Sequence, residues 1–244
     1  MAVLTYQRSS DILQVQTIVT VVLPDNITSD TSLPVLWLLH GLGDNGSAWQ
    51  RKTAIELIAS THQLAIIMPD CGRGFYTNTA SGTAYADYLT DELIPQMRRT
   101  FNLSKKPSQN FIGGNSMGGY GAFKLATSHP DWFSKVALIS PVTNLKSVPD
   151  FMTDYEAVFG PNGEDIFKLQ PTTLVEKADL KQLQQLKWYH TIGNDDFMKK
   201  DNDAFAHYLQ DTLKLDITYQ TAPGGHDWYF WNDQIAQIIP WLMA

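Results

Sequence analysis

Asn110-Phe111-Ile112-Gly113-Gly114-Asn115-Ser116-Met117-Gly118 runs straight into Gly119-Tyr120-Gly121-Ala122-Phe123-Lys124-Leu125-Ala126. A short apolar stretch thus passes through a glycine-flanked serine into a helix-like segment. A serine at the centre of G-x-S-x-G, on a strand-to-helix joint, sits on a turn so tight that side chains two before and two after it would meet neighbouring backbone. Glycine at 114 and 118 removes that collision and lets Ser116 take strained backbone geometry with its hydroxyl presented outward. Five-residue matches rich in Gly and Ser arise by chance, so the pattern gains force only from its surroundings.

Those surroundings alternate between strand-like and helix-like segments, the pattern of an α/β fold with a mostly parallel central sheet and crossover helices. Val35 to Leu39, Ala65 to Met68, Phe111 to Gly113 and Val136 to Ile139 read as buried central strands. Trp188 to Ile192 and Leu215 to Tyr219 continue the series. Gln16 to Leu23 is β-rich, and with Leu13 to Val15 it is expected to form an antiparallel N-terminal edge. Ser47 to Ala59 and Ala84 to Phe101 read as helices, the second kinked or divided by Pro95. At the C-terminus Trp231, Ile235, Ile238, Ile239 and Leu242 recur at three- and four-residue spacing, giving one core-facing stripe. The segment from Pro141 to Gln185 breaks the alternation and is expected to form either extra core or a small cap over the site. With no repeats, low-complexity tracts or linkers, residues 1–244 read as one domain.

At 244 residues the chain can bury a full core, and 43% hydrophobic with 18% charged residues is the composition of a globular enzyme. A net charge of −7 argues against nucleic acid or an anionic membrane surface as partner. The single cysteine, Cys71, excludes an internal disulfide framework and a cysteine-based metal site. It reads as a buried thiol in preference to a redox-sensitive one. The N-terminus turns polar too early for a signal-peptide core, and no apolar run approaches the roughly 20 residues that span a bilayer. A cytoplasmic protein is the expectation, with homo-oligomerisation left open. No phosphate loop, dinucleotide fingerprint or spaced His/Cys/Asp cluster is present, so neither cofactor nor metal is expected.

A G-x-S-x-G at a strand–turn–helix is the nucleophile elbow of the α/β-hydrolases, in which the triad follows the chain order serine, acid, histidine. A serine hydroxyl is a poor nucleophile and needs a base, an orienting acid and a stabilised oxyanion. Of the six histidines, His129, His190, His207 and His226 follow Ser116. His129 ends the helix after the serine, His190 lies in a strand and His207 in a helix. His226 follows the last expected strand in a loop that opens the final helix, which is where the base belongs. The acid is expected just after Ile192, where Gly193-Asn194-Asp195-Asp196-Phe197 offers two adjacent carboxylates that spacing does not separate. For the oxyanion, the Met117 N–H stands at a helix N-terminus. A second donor is expected from His40-Gly41-Leu42-Gly43, with Leu42 N–H preferred and Gly43 as alternative; His40 itself reads as a structural loop residue. Phe75, Tyr76 and Trp228 lie in loops flanking the site, where they read equally as core or as pocket lining.

Taken together, His40-Gly41-Leu42-Gly43-Asp44-Asn45, Pro69-Asp70 followed by Gly74-Phe75-Tyr76-Thr77, the elbow, Gly193-Asn194-Asp195-Asp196-Phe197 and Gly225-His226-Asp227-Trp228-Tyr229-Phe230-Trp231 resemble the esterase D-like family. The resemblance covers nearly the whole chain in order and is strongest to the tributyrin esterases of lactic acid bacteria and streptococci. It implies an α/β-hydrolase fold and a serine carboxylesterase acting on short-chain acyl esters, a small-molecule substrate. In that family the acid directly precedes the Phe of G-x-x-D-F, which implies Asp196. Relatives include S-formylglutathione hydrolases, feruloyl esterases and mycolyltransferases, so thioester hydrolysis and acyl transfer are the alternative activities. A non-catalytic binding module would lack a triad member or the oxyanion loop, and this chain lacks neither.

Overall fold

The computed structural model describes residues 1–26 and 32–244. Its strands are β1 (Ala2–Ser10), β2 (Val15–Leu23), β3 (Val35–Leu39), β4 (Ala65–Pro69), β5 (Asn110–Asn115), β6 (Lys135–Ile139), β7 (Lys187–Gly193) and β8 (Asp216–Ala222). They form one eight-stranded sheet in the order β1-β2-β4-β3-β5-β6-β7-β8. The β1–β2 and β2–β4 pairs are antiparallel and the others parallel. This is the α/β-hydrolase architecture. Every residue of β3, β4 and β5 is buried, as continuous apolar runs require when helices cover both faces of a sheet. The two-residue period of the strand sorts its side chains between those faces: Val35, Trp37 and Leu39 join one apolar cluster, Leu36 and Leu38 the other.

On one face the helix Met117–Ser128 lays Tyr120, Phe123 and Ala126 into the larger cluster. The other face is covered by the helix Trp228–Met243, whose Trp231, Ile235, Ile238, Ile239 and Leu242 are all buried. Asp227 caps that helix, its Oδ1 accepting from Tyr229 N–H at 2.9 Å and Phe230 N–H at 3.0 Å. Because β3 to β8 all run parallel, the connections that follow them emerge at one edge of the sheet, and every candidate site residue lies in these connections or at the first position of a helix that they open. Among the described residues no helix is long and apolar enough to cross a membrane.

Three expectations need correction. The N-terminal edge is formed by β1, not by Leu13 to Val15. The chain reverses through residues 11–14, with Gln14 in the left-handed region at φ 55°, and Glu92 accepts hydrogen bonds from Ser10 Oγ, Asp11 N–H and Ile12 N–H. The expected helix from Ser47 to Ala59 is two, Ala48–Lys52 and Ile55–Ser60, because Thr53 turns extended between them (φ −135°, ψ 169°). The Ala84 to Phe101 helix is continuous through Pro95, but only by widening into a π-turn over Tyr88–Leu93. There Ile94 N–H reaches back five residues to Leu89 O, an adjustment that makes room for the proline ring. The stretch 141–185 is a chain of short helical turns that buries Leu145, Val148, Met152 and Phe159 in the larger cluster.

Candidate active site

Ser116 stands between β5 and the helix Met117–Ser128 with φ 54° and ψ −119°, a region that L-residues rarely occupy. The neighbours make this turn obligatory. A Cβ on Gly118 would lie 2.3 Å from Leu39 O, and one on Gly114 would lie 2.5 Å from the Gly118 carbonyl. Three backbone bonds hold the serine: its N–H donates to Ile139 O at 2.9 Å, and its carbonyl accepts from Tyr120 N–H and Val142 N–H, each at 3.1 Å.

His226 closes a hydrogen-bonded line across the sheet edge. Its Nε2 is 2.9 Å from Ser116 Oγ and its Nδ1 is 2.8 Å from Asp196 Oδ2. With the proton on Nδ1, the ring donates to Asp196 and accepts from the serine hydroxyl. Edge-to-face contacts with Phe197 and Trp231, each at 5.0 Å between centroids, fix the imidazole plane. Asp196 is buried and its other oxygen accepts from Met198 N–H at 2.9 Å. Asp195, one residue earlier, is exposed; the two side chains leave the turn in different directions, and Asp196 is the one that meets His226.

The loop after β3 lies against the serine: a Cβ on Gly41 would be 3.4 Å from Ser116 Cβ. The orientation of the Gly41–Leu42 peptide follows from its carbonyl. Gly41 O accepts from Asp44 N–H at 3.2 Å and from His40 Nδ1 at 2.8 Å. His40 is fully buried, and its Nε2 accepts from Cys71 N–H at 3.1 Å, so its proton resides on Nδ1. A trans peptide directs its N–H opposite to its carbonyl. Leu42 N–H therefore points away from the His40 ring, and it has no acceptor among the described residues. Met117 N–H opens the helix, where the first donors have no intrahelical partner.

A cleft of about 500 Å³ opens over Ser116 and His226, lined by Gly41, Leu42, Gly43, Asp44, Lys52, Phe151, Phe197, Asp227, Trp228 and Trp231. Trp228 is in it; Phe75 and Tyr76 are not. Both are buried in the core, Phe75 edge-on to Tyr120 and Phe159, and Tyr76 OH bonded to His40 O at 2.8 Å. Their backbones turn at φ 49° and 53°, and the rings lie inward, beneath the loop after β3 that begins at His40. Residues that the sequence did not assign to the pocket take their place: Phe151, Phe197 and Trp231, the last expected only in the core-facing stripe, with Lys52 bound to Asp44 at 2.8 Å and standing 4.9 Å over the Trp228 ring. Phe197 adjoins Asp196 in the chain and so carried a local signal; Phe151 carried only its place in the 141–185 stretch, expected as extra core or a cap. Cys71 is buried, and burial pushes its thiol well above the usual range, so it remains protonated.

A serine hydroxyl on a strained elbow, in line with an imidazole and a buried carboxylate at the C-terminal edge of this sheet, is the arrangement of the α/β-hydrolase serine hydrolases. The family model described as putative esterase matches residues 10–242, and the chain belongs to that family. It is 27% identical over 228 residues to an acetyl esterase of Caldicellulosiruptor saccharolyticus, covering 86% of this chain and 84% of that one. Its fold superposes on FphF, a fluorophosphonate-binding serine hydrolase of Staphylococcus aureus, with a TM-score of 0.92 and 33% identity over 100% of this chain and 98% of the other. An S-formylglutathione hydrolase (FrmB) of the same organism gives 0.90 and 33% over 100% and 99%. The protein is a carboxylic ester hydrolase of the serine esterase type.

Proposed function

We propose that Ser116, His226 and Asp196 form the catalytic triad of a carboxylesterase that hydrolyses short-chain esters of small alcohols. The observation that carries this reading is the unbroken line from Ser116 Oγ through His226 to Asp196, with links of 2.9 and 2.8 Å, opening into the cleft. Ser116 Oγ attacks the ester carbonyl while His226 Nε2 takes its proton, and Asp196 stabilises the imidazolium that forms. The developing oxyanion sits between the N–H groups of Leu42 and Met117. His226 returns the proton to the leaving alkoxide, and water repeats the sequence on the acyl-enzyme. A short acyl group suits a cleft whose apolar walls are the side chains of Phe151, Phe197 and Trp228. Phe151 belongs to the 141–185 stretch, which supports reading that stretch as a small cap within one domain.

The 33% identity to an S-formylglutathione hydrolase favours thioester cleavage as the second reading, since the same triad serves both leaving groups. A fluorophosphonate probe is expected to label Ser116 alone, and labelling that survives Ser116→Ala overturns the assignment. A chain-length series of p-nitrophenyl esters, run beside S-formylglutathione and a feruloyl ester, separates the substrate classes by kcat/KM.

A further inference from the structure

Two fully buried side chains that the proposed mechanism does not use, His190 and Asn202, lie behind the site. His190 is on β7, and Asn202 is on the helix Lys199–His207 that follows the acid loop. Both hydrogens of the Asn202 amide are engaged, Nδ2 donating to Met198 O at 3.0 Å and to Pro141 O at 3.1 Å. Its Oδ1 must therefore accept, and it does so from His190 Nε2 at 2.7 Å. An amide rotated by half a turn would set its oxygen against two carbonyls and its N–H groups against the imidazole donor. His190 thus fixes which way the amide faces.

The two carbonyls belong to different halves of the site. Met198 holds the acid, because its N–H donates to Asp196 Oδ1 at 2.9 Å while its carbonyl is held by Asn202. Pro141 adjoins Val142, whose N–H donates to Ser116 O at 3.1 Å. The Pro141 ring also lies on the nucleophile helix so closely that a Cβ on Gly119 would be 2.8 Å from it. β6 and β7 pair as far as Ile139 and Thr191, and Ser140 N–H still donates to Thr191 O at 2.8 Å; past Ser140 no backbone bond among the described residues joins the loop after β6 to the loop after β7. We infer that Asn202, oriented by His190, is a positioning residue that staples the loop supporting Ser116 to the loop supporting Asp196, and so sets the distance His226 must bridge.

This inference rests on the triad reading, and the experiment keeps the two apart. Loss of p-nitrophenyl acetate hydrolysis in Ser116→Ala tests the triad and is independent of Asn202. Asn202→Ala and the volume-conserving Asn202→Leu are expected to lower kcat about 10- to 100-fold, the cost of a small misplacement of reacting groups, with KM within about twofold. The far-downfield proton resonance of His226 Nδ1–H in its bond to Asp196 is expected to shift or broaden in both. His190→Gln, which retains a donor for Asn202 Oδ1, is expected to keep most of the activity that His190→Leu loses. The core variant Ile238→Val, on the opposite face of the sheet, provides a control for destabilisation alone. Wild-type kcat and an unmoved resonance in Asn202→Leu, or equal activity in His190→Gln and His190→Leu, would overturn the inference. Should the Asn202 variants fail to fold, the two His190 variants decide it on the same readouts.

Discussion

Replacing Ser116 by glycine should make the protein more stable than replacing it by alanine, although both variants are inactive. The serine holds φ 54° and ψ −119°, and a non-glycine residue in such a region stores about 1–3 kcal/mol. Alanine keeps the Cβ and hence the strain; glycine has none. Against that relief, glycine loses about 0.5–1 kcal/mol more backbone entropy on folding. Both variants lose the hydroxyl bond to His226, so that contribution cancels in the comparison. Mid-range values of about 2 and about 0.75 kcal/mol leave a net difference of about 1 kcal/mol in favour of Ser116→Gly. For a chain of 244 residues, 1 kcal/mol moves Tm by roughly 2–4 °C, so Ser116→Gly should melt about 2–4 °C above Ser116→Ala. Urea midpoints should move in the same direction with the m-value unchanged. An equal or lower Tm for Ser116→Gly would mean that the elbow is not strained, and the account of why glycine flanks it would fail with it.

Three further outcomes follow from the geometry. Asp196→Asn should lower kcat by about four orders of magnitude, as a mistuned imidazole does in other triads, while Asp195→Asn leaves it within a few-fold; steady-state kinetics with the order reversed would refute the assignment. His40→Ala frees the Gly41 carbonyl and should reduce kcat about 10- to 100-fold, up to the value of one oxyanion donor. His40→Asn, whose amide can still donate near the Nδ1 position, should recover part of it, and identical kinetics in the two would sink the proposed orienting role. Burial holds His190 down to about 4 against an ordinary 6.5, so between these values the unfolded chain binds the extra proton. Its contribution is fully present above pH 6.5 and is lost as pH falls toward 4, by about 3 kcal/mol in all; urea unfolding of His190→Gln should lack that part of the slope.

What could be read in the sequence was whatever a few adjacent residues determine among themselves. The elbow is such a case, since the glycines at 114 and 118 answer contacts with Leu39 and with each other that any such turn creates. The central strands are another, because runs such as Val35 to Leu39 are buried on both faces and carry no polar residue. β1 escaped notice for the opposite reason: most of its residues are exposed, so an edge strand shows neither a long apolar run nor a clean alternation. Asp195 and Asp196 differ by the direction in which a turn sends each side chain, and residue types do not encode that direction; the family pattern did. Phe75 and Tyr76 read equally as core or pocket lining because their inward turn, which puts them in the core, depends on two consecutive left-handed residues. Phe151 could not be assigned to the cleft because only the path of an irregular connection brings it there.

The residues that hold the elbow and the residues that face the substrate are almost disjoint sets, and this separation explains how one site can serve a family of different esterases. Strain at Ser116 is balanced by backbone bonds from Ile139, Tyr120 and Val142 and by the packing of Gly114 and Gly118 on β3, none of which depends on a side chain in the cleft. The cleft walls bear no such duty. Phe197 is 66% exposed and Phe151 36%, and each meets the other edge-on at 6.0 Å, so either can change size with little loss of buried area and little cost in stability. Phe197 and Trp231 are the exceptions that join the two sets, because their rings also pack against His226. Selection for a new acyl group can therefore act most freely at Phe151, whereas at Phe197 and Trp231, and at Trp228 that packs on Trp231, it must also preserve the orientation of the imidazole.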